Sequence, residues 1–250
     1  MLKKTLKNYK NDINGIIQVG AHIGQQVNLF LGIENIDIHL FEPQKKPLKE
    51  LKKYGKYPNI HIHEFGLGNS SEKLKLYLSD NKKGVSSSIL KPKLHTKYFP
   101  EIKFNNHEFI EIKKFSDLEN IHGNFLMMDV QGYELEVLKG FEDKIQSLDF
   151  IFTEISIEEF YENNILVYDL DKFLNKKGFI RTNTFLYSNI PMGDALYLNK
   201  NKVKNFKIIF YTLKSKFQIS KLFRLFNFFK SIEKVTYSFK KYMKNFLRTK

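Results

Sequence analysis

Two short segments near the start of the chain constrain its fold more than any other feature. The first, Gly-Ile-Ile-Gln-Val-Gly-Ala-His-Ile-Gly, runs from Gly15 to Gly24. The second, Ile-Asp-Ile-His-Leu-Phe-Glu-Pro, ends at Pro43. The first begins with an apolar strand that continues through a glycine turn toward a helix, and the second is another strand, which stops on a carboxylate. Together they predict the opening of a parallel sheet that is covered by helices.

The glycines and the carboxylate of these segments also predict a ligand pocket. Gly20 and Gly24, with Ala21 between them, let the backbone take positive φ and approach a ligand closely. Glu42, at the end of the second strand, can accept both hydroxyls of a ribose. The Gly-x-x-x-Gly spacing differs from the Gly-x-Gly-x-x-Gly that binds a pyrophosphate, so a nucleoside without phosphates, such as S-adenosylmethionine, fits better. An ordinary strand-to-helix turn and a solvated acid at a helix start are the structural alternatives.

The net charge of +14 belongs to one part of the chain. Residues 200–250 contain 15 Lys and Arg against one acid, whereas residues 1–199 contain 26 basic and 26 acidic residues. The sequence therefore predicts a domain over residues 1–199 and a basic tail over residues 200–250. The absence of cysteine excludes a disulfide framework and thiolate metal sites, and it fits a cytoplasmic location.

The tail carries apolar residues at helical steps of three or four between Leu222 and Phe246, with basic residues mostly on the other side. This pattern predicts a basic amphipathic helical extension that can lie on an anionic membrane surface. Packing of the apolar stripe on the catalytic body, or on a second subunit of a homo-oligomer, is the alternative. Nucleic acid is disfavoured as a partner, because aromatic residues packed in a stripe cannot stack on bases.

Between Gly15 and Lys200, apolar runs alternate with helix-like stretches, as expected for a parallel sheet with helices on both faces. The predicted strands are Ile16 to Val19, Ile36 to Phe41, Asn59 to Phe65, Asn124 to Met128, Phe150 to Ile155, Phe179 to Thr184 and Ala195 to Leu198. The predicted helices are Gln25 to Leu31, Lys45 to Tyr54, Tyr133 to Ile145, with Leu135, Leu138 and Phe141 on its apolar face, and Tyr168 to Lys177. Two alternating segments, Lys73 to Leu78 and Phe109 to Lys113, predict antiparallel additions.

The segment from Ser79 to Glu108 has little periodicity, and loops of this length inside a compact domain are usually functional or disordered. Its polar side chains predict a lid over a substrate, with substrate-binding roles for Ser86, Ser87, Ser88 and His95. A mobile polar loop is the alternative.

The segment Asn-Phe-Leu-Met-Met-Asp-Val-Gln-Gly-Tyr-Glu-Leu-Glu-Val-Leu-Lys-Gly, from Asn124 to Gly140, carries a family resemblance. With the Val-Gly-Ala-x-x-Gly turn, the Phe-Glu-Pro triplet and the Ser-Ser-Ser-Ile-Leu run, it resembles the FkbM family of S-adenosylmethionine-dependent methyltransferases. The likeness covers about Ile13 to Asn199. It implies the α/β class I methyltransferase (Rossmann-like) fold, a seven-stranded mostly parallel sheet with an antiparallel last strand, and O-methylation as the usual reaction.

The resemblance also implies which residues meet the cofactor. Members commonly carry Asp where this chain has Gln18 and Asn where it has His22. Gln18 can still form hydrogen bonds, but it cannot attract the cationic groups of the cofactor as a carboxylate would. Glu64 and Phe65, at the end of the third strand, lie where this fold usually meets the adenine, although surface charge and core packing explain them equally well.

Asp129 ends the strand that faces the reacting centre in this architecture, and Gln131 lies in the turn that follows it. A carboxylate there can remove the proton of an acceptor hydroxyl or bind that hydroxyl, although capping of the next helix is the structural alternative. Glu154, in an otherwise apolar strand, is a second acid/base candidate. A metal shared by Asp129 and Glu154 lacks a third ligand with suitable spacing, so no metal is expected.

These observations predict a methyltransferase that acts on a hydroxyl of a small molecule, in particular a sugar of a surface glycan or its precursor. Two alternatives remain at this stage. A nucleic-acid methyltransferase recruited by the tail would bind RNA or DNA tightly and with strong salt dependence, in place of anionic vesicles. A membrane-bound scaffold with a degenerate cofactor fold would not bind S-adenosylhomocysteine.

Overall fold

A computed structural model describes residues 1–81, 83–188 and 190–202, together with Phe210 and Lys214. Nearly all of the basic tail therefore lies outside the described residues, and its helical form and membrane contact stay predictions. No helix in the described part of the chain is long and apolar enough to span a membrane.

The described residues form ten strands and six α-helices, with short 3-10 turns between them. The strands are β1 (Gly15–Val19), β2 (Asp37–Phe41), β3 (Ile60–His63), β4 (Gly66–Leu67), β5 (Glu72–Leu78), β6 (Asn106–Lys113), β7 (Phe125–Met128), β8 (Phe150–Ser156), β9 (Phe179–Leu186) and β10 (Met192–Asn199). The helices are α1 (Leu2–Tyr9), α2 (Val27–Phe30), α3 (Lys45–Leu51), α4 (His95–Tyr98), α5 (Glu134–Gly140) and α6 (Val167–Lys176).

Seven of the strands form one sheet in the order β3-β2-β1-β7-β8-β10-β9. Strands β3, β2, β1, β7 and β8 pair in parallel, while β10 pairs antiparallel with both β8 and β9. The class I methyltransferase sheet predicted from the sequence, with its antiparallel last strand, is confirmed. Because the order changes direction beside β1, the carboxyl ends of β1, β2 and β7 meet at the point where open sheets of this kind bind ligands.

The two faces of the sheet bury separate apolar cores. All five residues of β1 are buried, with Ile16 in one core and Ile17 and Val19 in the other. Parallel sheets are covered on both faces, so their strands are continuously apolar rather than alternating. This packing holds the ends of β1, β2 and β7 rigidly beside one another.

A second, three-stranded sheet lies beside the carboxyl edge, in the order β4-β6-β5. β5 and β6 pair antiparallel, as their alternating sequences predicted. Leu76, Ile110 and Ile112 form the buried centre of this small sheet. Its apolar side supplies one wall of the cavity described below.

Two local features differ from the sequence expectations. The basic start of the chain forms α1, which was not predicted and which buries Leu2 and Leu6. The helix after β7 was expected to reach Ile145 but ends at Gly140, and Glu142 then takes a φ of 50°, which is incompatible with a continuing α-helix. This helix buries Glu134, whereas Leu135 is only partly buried.

Candidate active site

A cavity opens where the carboxyl ends of β1, β2 and β7 meet, and it contains about 710 Å³ of empty space, part of it open to solvent. Among the residues that the structure describes, twenty line the cavity, and none of them is Lys or Arg. One wall is polar and comes from the loops after β1, β2 and β7. The opposite wall is apolar and includes Leu76, Ile110, Ile112 and Tyr133. The cavity therefore combines an apolar surface with two carboxylates, Glu42 and Asp129.

Glu42, directly after β2, is buried at the polar wall. Its Oε2 accepts the backbone N–H of His22 and its Oε1 accepts that of Gln44, both at 2.7 Å. Burial raises the pKa of Glu42 to about 7, against the opposing effect of these two hydrogen bonds. Each carboxylate oxygen keeps a second acceptor position that a ligand hydroxyl could use.

Gly20 joins the ends of three strands. It has a φ of +79°, its N–H donates to Phe41 O at 3.0 Å, and a Cβ on it would lie 2.1 Å from Asp129 O. Only glycine fits this position, because both the left-handed backbone and the close approach of the β7 end exclude a side chain. Gly20 is thus required because the turn after β1 approaches the backbone of Asp129 closely.

Gly20→Ala should lower the free energy of unfolding by about 2–4 kcal/mol, through positive-φ strain and displacement of the β7 end. Gly178→Ala is the matched control, because Gly178 has a φ of +92° with nothing within 4 Å of an added Cβ. It isolates the strain alone, at about 1–2 kcal/mol. Urea unfolding measures both variants, and equal losses would show that contact with the Asp129 backbone does not matter.

Of the other predicted residues of the β1 turn, His22 lines the cavity, whereas Ala21 and Gly24 do not. His22 lines the cavity with φ at 49°, its Nδ1 within 2.9 Å of Gln25 Nε2 and its Nε2 within 3.3 Å of Lys83 O. Ala21 is buried behind the cavity wall. Gly24, which was predicted to meet the ligand, lies outside the lining, where a Cβ would come within 2.5 Å of the Tyr54 ring. Gly24 therefore permits packing against the α3 side of the fold.

Gln18 is buried under the turn, outside the cavity lining. Its Nε2 donates to Oε1 of Gln26 at 3.0 Å, and Gln26 lines the cavity. The Oε1 of Gln18 is buried with no hydrogen-bond partner in the described structure. Gln18 therefore contacts the cavity only through Gln26, and its buried oxygen is one of the few unpaired polar atoms among the described residues.

The structure corrects the expected position of Glu64 and Phe65. Glu64 is exposed and pairs with Lys52 at 2.6 Å, and Phe65 packs against Phe41 with Lys113 over its ring. Neither residue lines the cavity, whose wall is formed instead by the next residues along the chain, Gly66 and Leu67. The strand turns into β4 sooner than the apolar run suggested.

Asp129, Gln131 and Glu154 come together after the end of β7. The Gln131 side chain donates through Nε2 to Asp129 Oδ1 at 2.7 Å and to Glu154 Oε2 at 3.3 Å. Asp129 and Gln131 line the cavity, and Glu154 lies behind them in β8. Burial raises the pKa of Asp129, and burial with the nearby charges of Asp129, Glu134 and Asp194 raises that of Glu154 further. One amide thus bridges two carboxyl groups that cannot easily both be charged.

Two residues of this end were not among the predicted site residues. Glu134 accepts the N–H groups of Val130 and Gly132 through Oε1, at 3.3 and 3.2 Å. It therefore supports the turn after β7, and Asp129 makes no capping bond to α5. Tyr161 donates its hydroxyl to Gln131 Oε1 at 2.7 Å. Glu134 was visible in the sequence motif, whereas nothing in the sequence marks Tyr161.

The serines of the long loop mostly shape the loop itself. Ser86 and Ser87 form hydrogen bonds with Ser79, and only Ser87 of the three lines the cavity. Ser88 Oγ donates to Gln131 O at 2.6 Å, which ties the loop to the turn after β7. His95 lies outside the cavity lining, buried among aromatic rings that include Tyr161. Ser86, Ser88 and His95 were predicted to bind the substrate, but their side chains hold the loop and its surroundings in place. The loop itself lines the cavity through Val85, Ser87 and Ile89.

A separate cleft at the edge of the sheet contains His39, His61 and His63. Their rings stack with centroids 4.7 and 5.5 Å apart, and burial lowers the pKa of both His39 and His63 to about 4. Within the described residues, no group of three or more potential ligands is arranged to hold a metal.

Comparison with known proteins places the chain in a family. The sequence is 25% identical over 163 residues to the 2-O-methyltransferase NoeI of Sinorhizobium fredii, an alignment that covers 60% of this chain and 66% of NoeI. The chain thus spans just under two thirds of that relative. The structure resembles that of the methyltransferase FkbM from Methylobacillus flagellatus, with a TM-score of 0.50 and 16% identity over 74% of this chain and 43% of that one.

A family model described as the methyltransferase FkbM domain matches residues 18–181. The matched region contains the glycine turn, Glu42, the loop over the cavity and the Asp129–Gln131–Glu154 group. Because the match exceeds half of the sequence, this chain belongs to the FkbM methyltransferase family.

Proposed function

We propose that this protein transfers a methyl group from S-adenosylmethionine to a hydroxyl of a small molecule, in particular a sugar of a surface glycan or its precursor. The observation that carries the proposal is a cavity lined by both Glu42 and Asp129, with neither Lys nor Arg among the described residues of its lining. The described part of this lining offers no Lys or Arg to the phosphates of a cofactor, whereas a sulfonium is favoured near carboxylates.

The residues present fit this cofactor. Glu42 can accept the ribose hydroxyls, and the wall of Leu76, Ile110 and Ile112 suits the adenine ring. Gln26, which lines the cavity and accepts from Gln18 Nε2, can meet the polar methionine part in place of Gln18 itself. In this protein Gln18 stands where relatives commonly have Asp, so Glu42 and Asp129 are the carboxylates left to complement the positive charge.

When bound, S-adenosylmethionine supplies a methyl group that a nucleophilic oxygen can attack in line. The protein then has two tasks, to align the acceptor hydroxyl and to remove its proton. Asp129 lines the cavity and can accept that proton on its carboxylate. Gln131 orients Asp129, and the loop bearing Val85 and Ile89 shields the cavity from water.

Three features support a sugar hydroxyl as the acceptor. Asp194 in β10 lies directly opposite Glu154 in β8, and Tyr187 donates its hydroxyl to Asp194 Oδ1 at 2.8 Å. Several carboxyl groups this close together favour a ligand with many hydroxyl donors over an anionic ligand. The relative NoeI is named a 2-O-methyltransferase, which supports oxygen as the methylated atom.

Mass spectrometry of surface glycans tests the proposal. Cells that contain this chain should carry a glycan with one added methyl group, which disappears when the gene is removed and returns with the wild-type chain but not with Asp129→Asn. Unchanged glycans, together with loss of a different methylated metabolite, would refute the sugar assignment while leaving methyl transfer intact.

A further inference from the structure

The side chain of Gln131 has all of its hydrogen-bonding atoms engaged. Its Nε2 donates to Asp129 Oδ1 at 2.7 Å and to Glu154 Oε2 at 3.3 Å, while its Oε1 accepts from Tyr161 at 2.7 Å. Gln131 has a φ of 54°, and its carbonyl accepts from Ser88 Oγ at 2.6 Å. These features fix the backbone of Gln131, so the change left to this residue is a reversal of its side-chain amide, which exchanges the positions of Oε1 and Nε2.

The Tyr161 hydroxyl has one hydrogen and two acceptors within reach. Gln131 Oε1 lies 2.7 Å away and Ser86 O lies 3.0 Å away. The hydroxyl can donate to only one of them fully. If it donates to Gln131, the amide NH2 faces the two carboxyl groups. If it donates to Ser86, its oxygen is free to accept from a reversed Gln131 amide.

The two amide orientations match two protonation states of the carboxyl groups. An ionised Asp129 accepts from the Gln131 NH2. An Asp129 that has gained a proton can instead donate to Gln131 Oε1, which requires the reversed amide, since two unprotonated oxygens 2.7 Å apart would repel. The reversed amide also turns its Oε1 toward Glu154, which must then hold a proton to donate, as the strongly raised pKa of that buried carboxyl favours. With Glu154 protonated, the second acceptor of Tyr161 keeps the amide and the tyrosine hydroxyl paired in either state.

We propose that Tyr161 is a positioning residue for methyl transfer, which holds the Gln131 amide with its NH2 toward Asp129 and lets it reverse when Asp129 takes the acceptor proton. This inference rests on the proposed function for its role in catalysis. Proton balance is simple: the hydrogen of the acceptor hydroxyl moves to Asp129, and the Tyr161 hydrogen turns from Gln131 Oε1 to Ser86 O without leaving its oxygen.

The geometry around Tyr161 supports a fixed position for its ring. Tyr161 is buried, its N–H donates to Asn164 Oδ1 at 3.1 Å, and its ring lies 5.5 Å from that of His95. A Cβ on Gly132, next to Gln131, would come within 3.2 Å of the Tyr161 ring, so the turn and the ring fit closely. Because Ser86 belongs to the loop over the cavity, the state of Asp129 is linked to that loop.

Tyr161→Phe keeps the ring and removes the hydroxyl. The Gln131 amide then loses the bond that sets its orientation, so Asp129 should titrate at higher pH. We expect kcat to fall about five- to tenfold on the acidic side of its pH profile, with the difference narrowing at alkaline pH and little change in KM for S-adenosylmethionine. Carbon-13 NMR of labelled aspartate, assigned with Asp129→Asn, measures the titration without cofactor or acceptor.

Other titratable groups act on this site and have to be held constant. They are His22 before α2, Glu42 after β2, Glu134 in α5, Glu154 in β8, and Asp194 and Tyr187 at the β9–β10 hairpin. Tyr197→Phe is the matched control. It removes a buried hydroxyl that donates to Asp171 at 2.8 Å. Tyr197 pairs with Ile151 near the start of β8, whereas Glu154 lies toward the carboxyl end of that strand.

The proposal predicts that Tyr161→Phe moves the Asp129 titration and the pH profile of kcat together, and that Tyr197→Phe moves neither. Gln131→Leu should produce at least the same shift, and adding Tyr161→Phe to it should produce no more, because both act through one amide. An unchanged Asp129 titration in folded Tyr161→Phe overturns the proposal. A wild-type protein that transfers no methyl group overturns the proposed function instead, and the titration still decides the link between Tyr161 and Asp129.

Discussion

Asp129→Asn should reduce kcat by about 10²- to 10⁴-fold, because the cavity loses the group that removes the acceptor proton. Asparagine has the same shape and its Oδ1 can still accept from Gln131 Nε2, so the turn after β7 should remain in place. Affinity for S-adenosylhomocysteine should change only a few-fold. Single-turnover transfer of a labelled methyl group to the glycan acceptor measures the chemical step directly.

The same measurement on Glu154→Gln distinguishes the two carboxyl groups. Glu154 lies behind Gln131, outside the cavity lining, and its pKa is raised by burial and by neighbouring acids. We expect a smaller loss of kcat than for Asp129→Asn. A larger loss at Glu154, with Asp129→Asn nearly as active as wild type, would assign the base to Glu154 and contradict the account.

Glu42→Gln should weaken binding of S-adenosylhomocysteine by about 10- to 100-fold at pH 8, as expected for loss of hydrogen bonds to a charged acceptor. Both carboxylate oxygens of Glu42 accept backbone N–H groups, from His22 and from Gln44. A glutamine must turn its NH2 toward one of these donors, so the site also loses its shape. Glu64→Gln is the control, because Glu64 is exposed and pairs with Lys52 outside the cavity.

Binding to the wild-type protein should depend on pH through Glu42. Its pKa is raised to about 7, and the ionised form is the one that accepts ribose hydroxyls. As the pH falls below 7, binding must first remove a proton, so affinity should be about tenfold lower at pH 6 than at pH 8. Glu42→Gln should remove most of this dependence, and a wild-type affinity that is flat between pH 6 and pH 8 would contradict the assignment.

The fold was largely predictable from sequence because it depends on local patterns, and of the predicted cofactor residues the cavity lining contains Gly20, His22, Glu42 and Asp129. The apolar run before Gly20 and the strand before Glu42 have few other interpretations in a parallel sheet. The antiparallel pairing of β5 and β6 followed from simple alternation. The contact of Gly20 with the Asp129 backbone could not be predicted, since it depends on how closely β1 and β7 approach.

The residues that sequence reasoning misplaced share a physical cause. Glu64 and Phe65 were predicted to meet the adenine, but β3 ends at His63 and the cavity is lined by Gly66 and Leu67 instead. The end of a strand is set by its pairing partners rather than by its own apolar run. Ser86 and Ser88 have the composition of a binding loop, but the Ser86 hydroxyl accepts from Asn81 and the Ser88 hydroxyl donates to Gln131, so both hold the loop itself. Tyr161 is distant in sequence from every motif, and only tertiary packing brings its hydroxyl to Gln131.

The most direct test of the central claim is calorimetric titration of the wild-type protein with S-adenosylhomocysteine and, in parallel, with NAD⁺. The cavity has a carboxylate for a ribose, an apolar slot for an adenine and neither Lys nor Arg in its lining. The account predicts saturable one-to-one binding of S-adenosylhomocysteine and no measurable binding of NAD⁺, because the turn after β1 lacks the Gly-x-Gly-x-x-Gly pattern that receives a pyrophosphate. Absence of heat with S-adenosylhomocysteine, or tighter binding of NAD⁺, would contradict it.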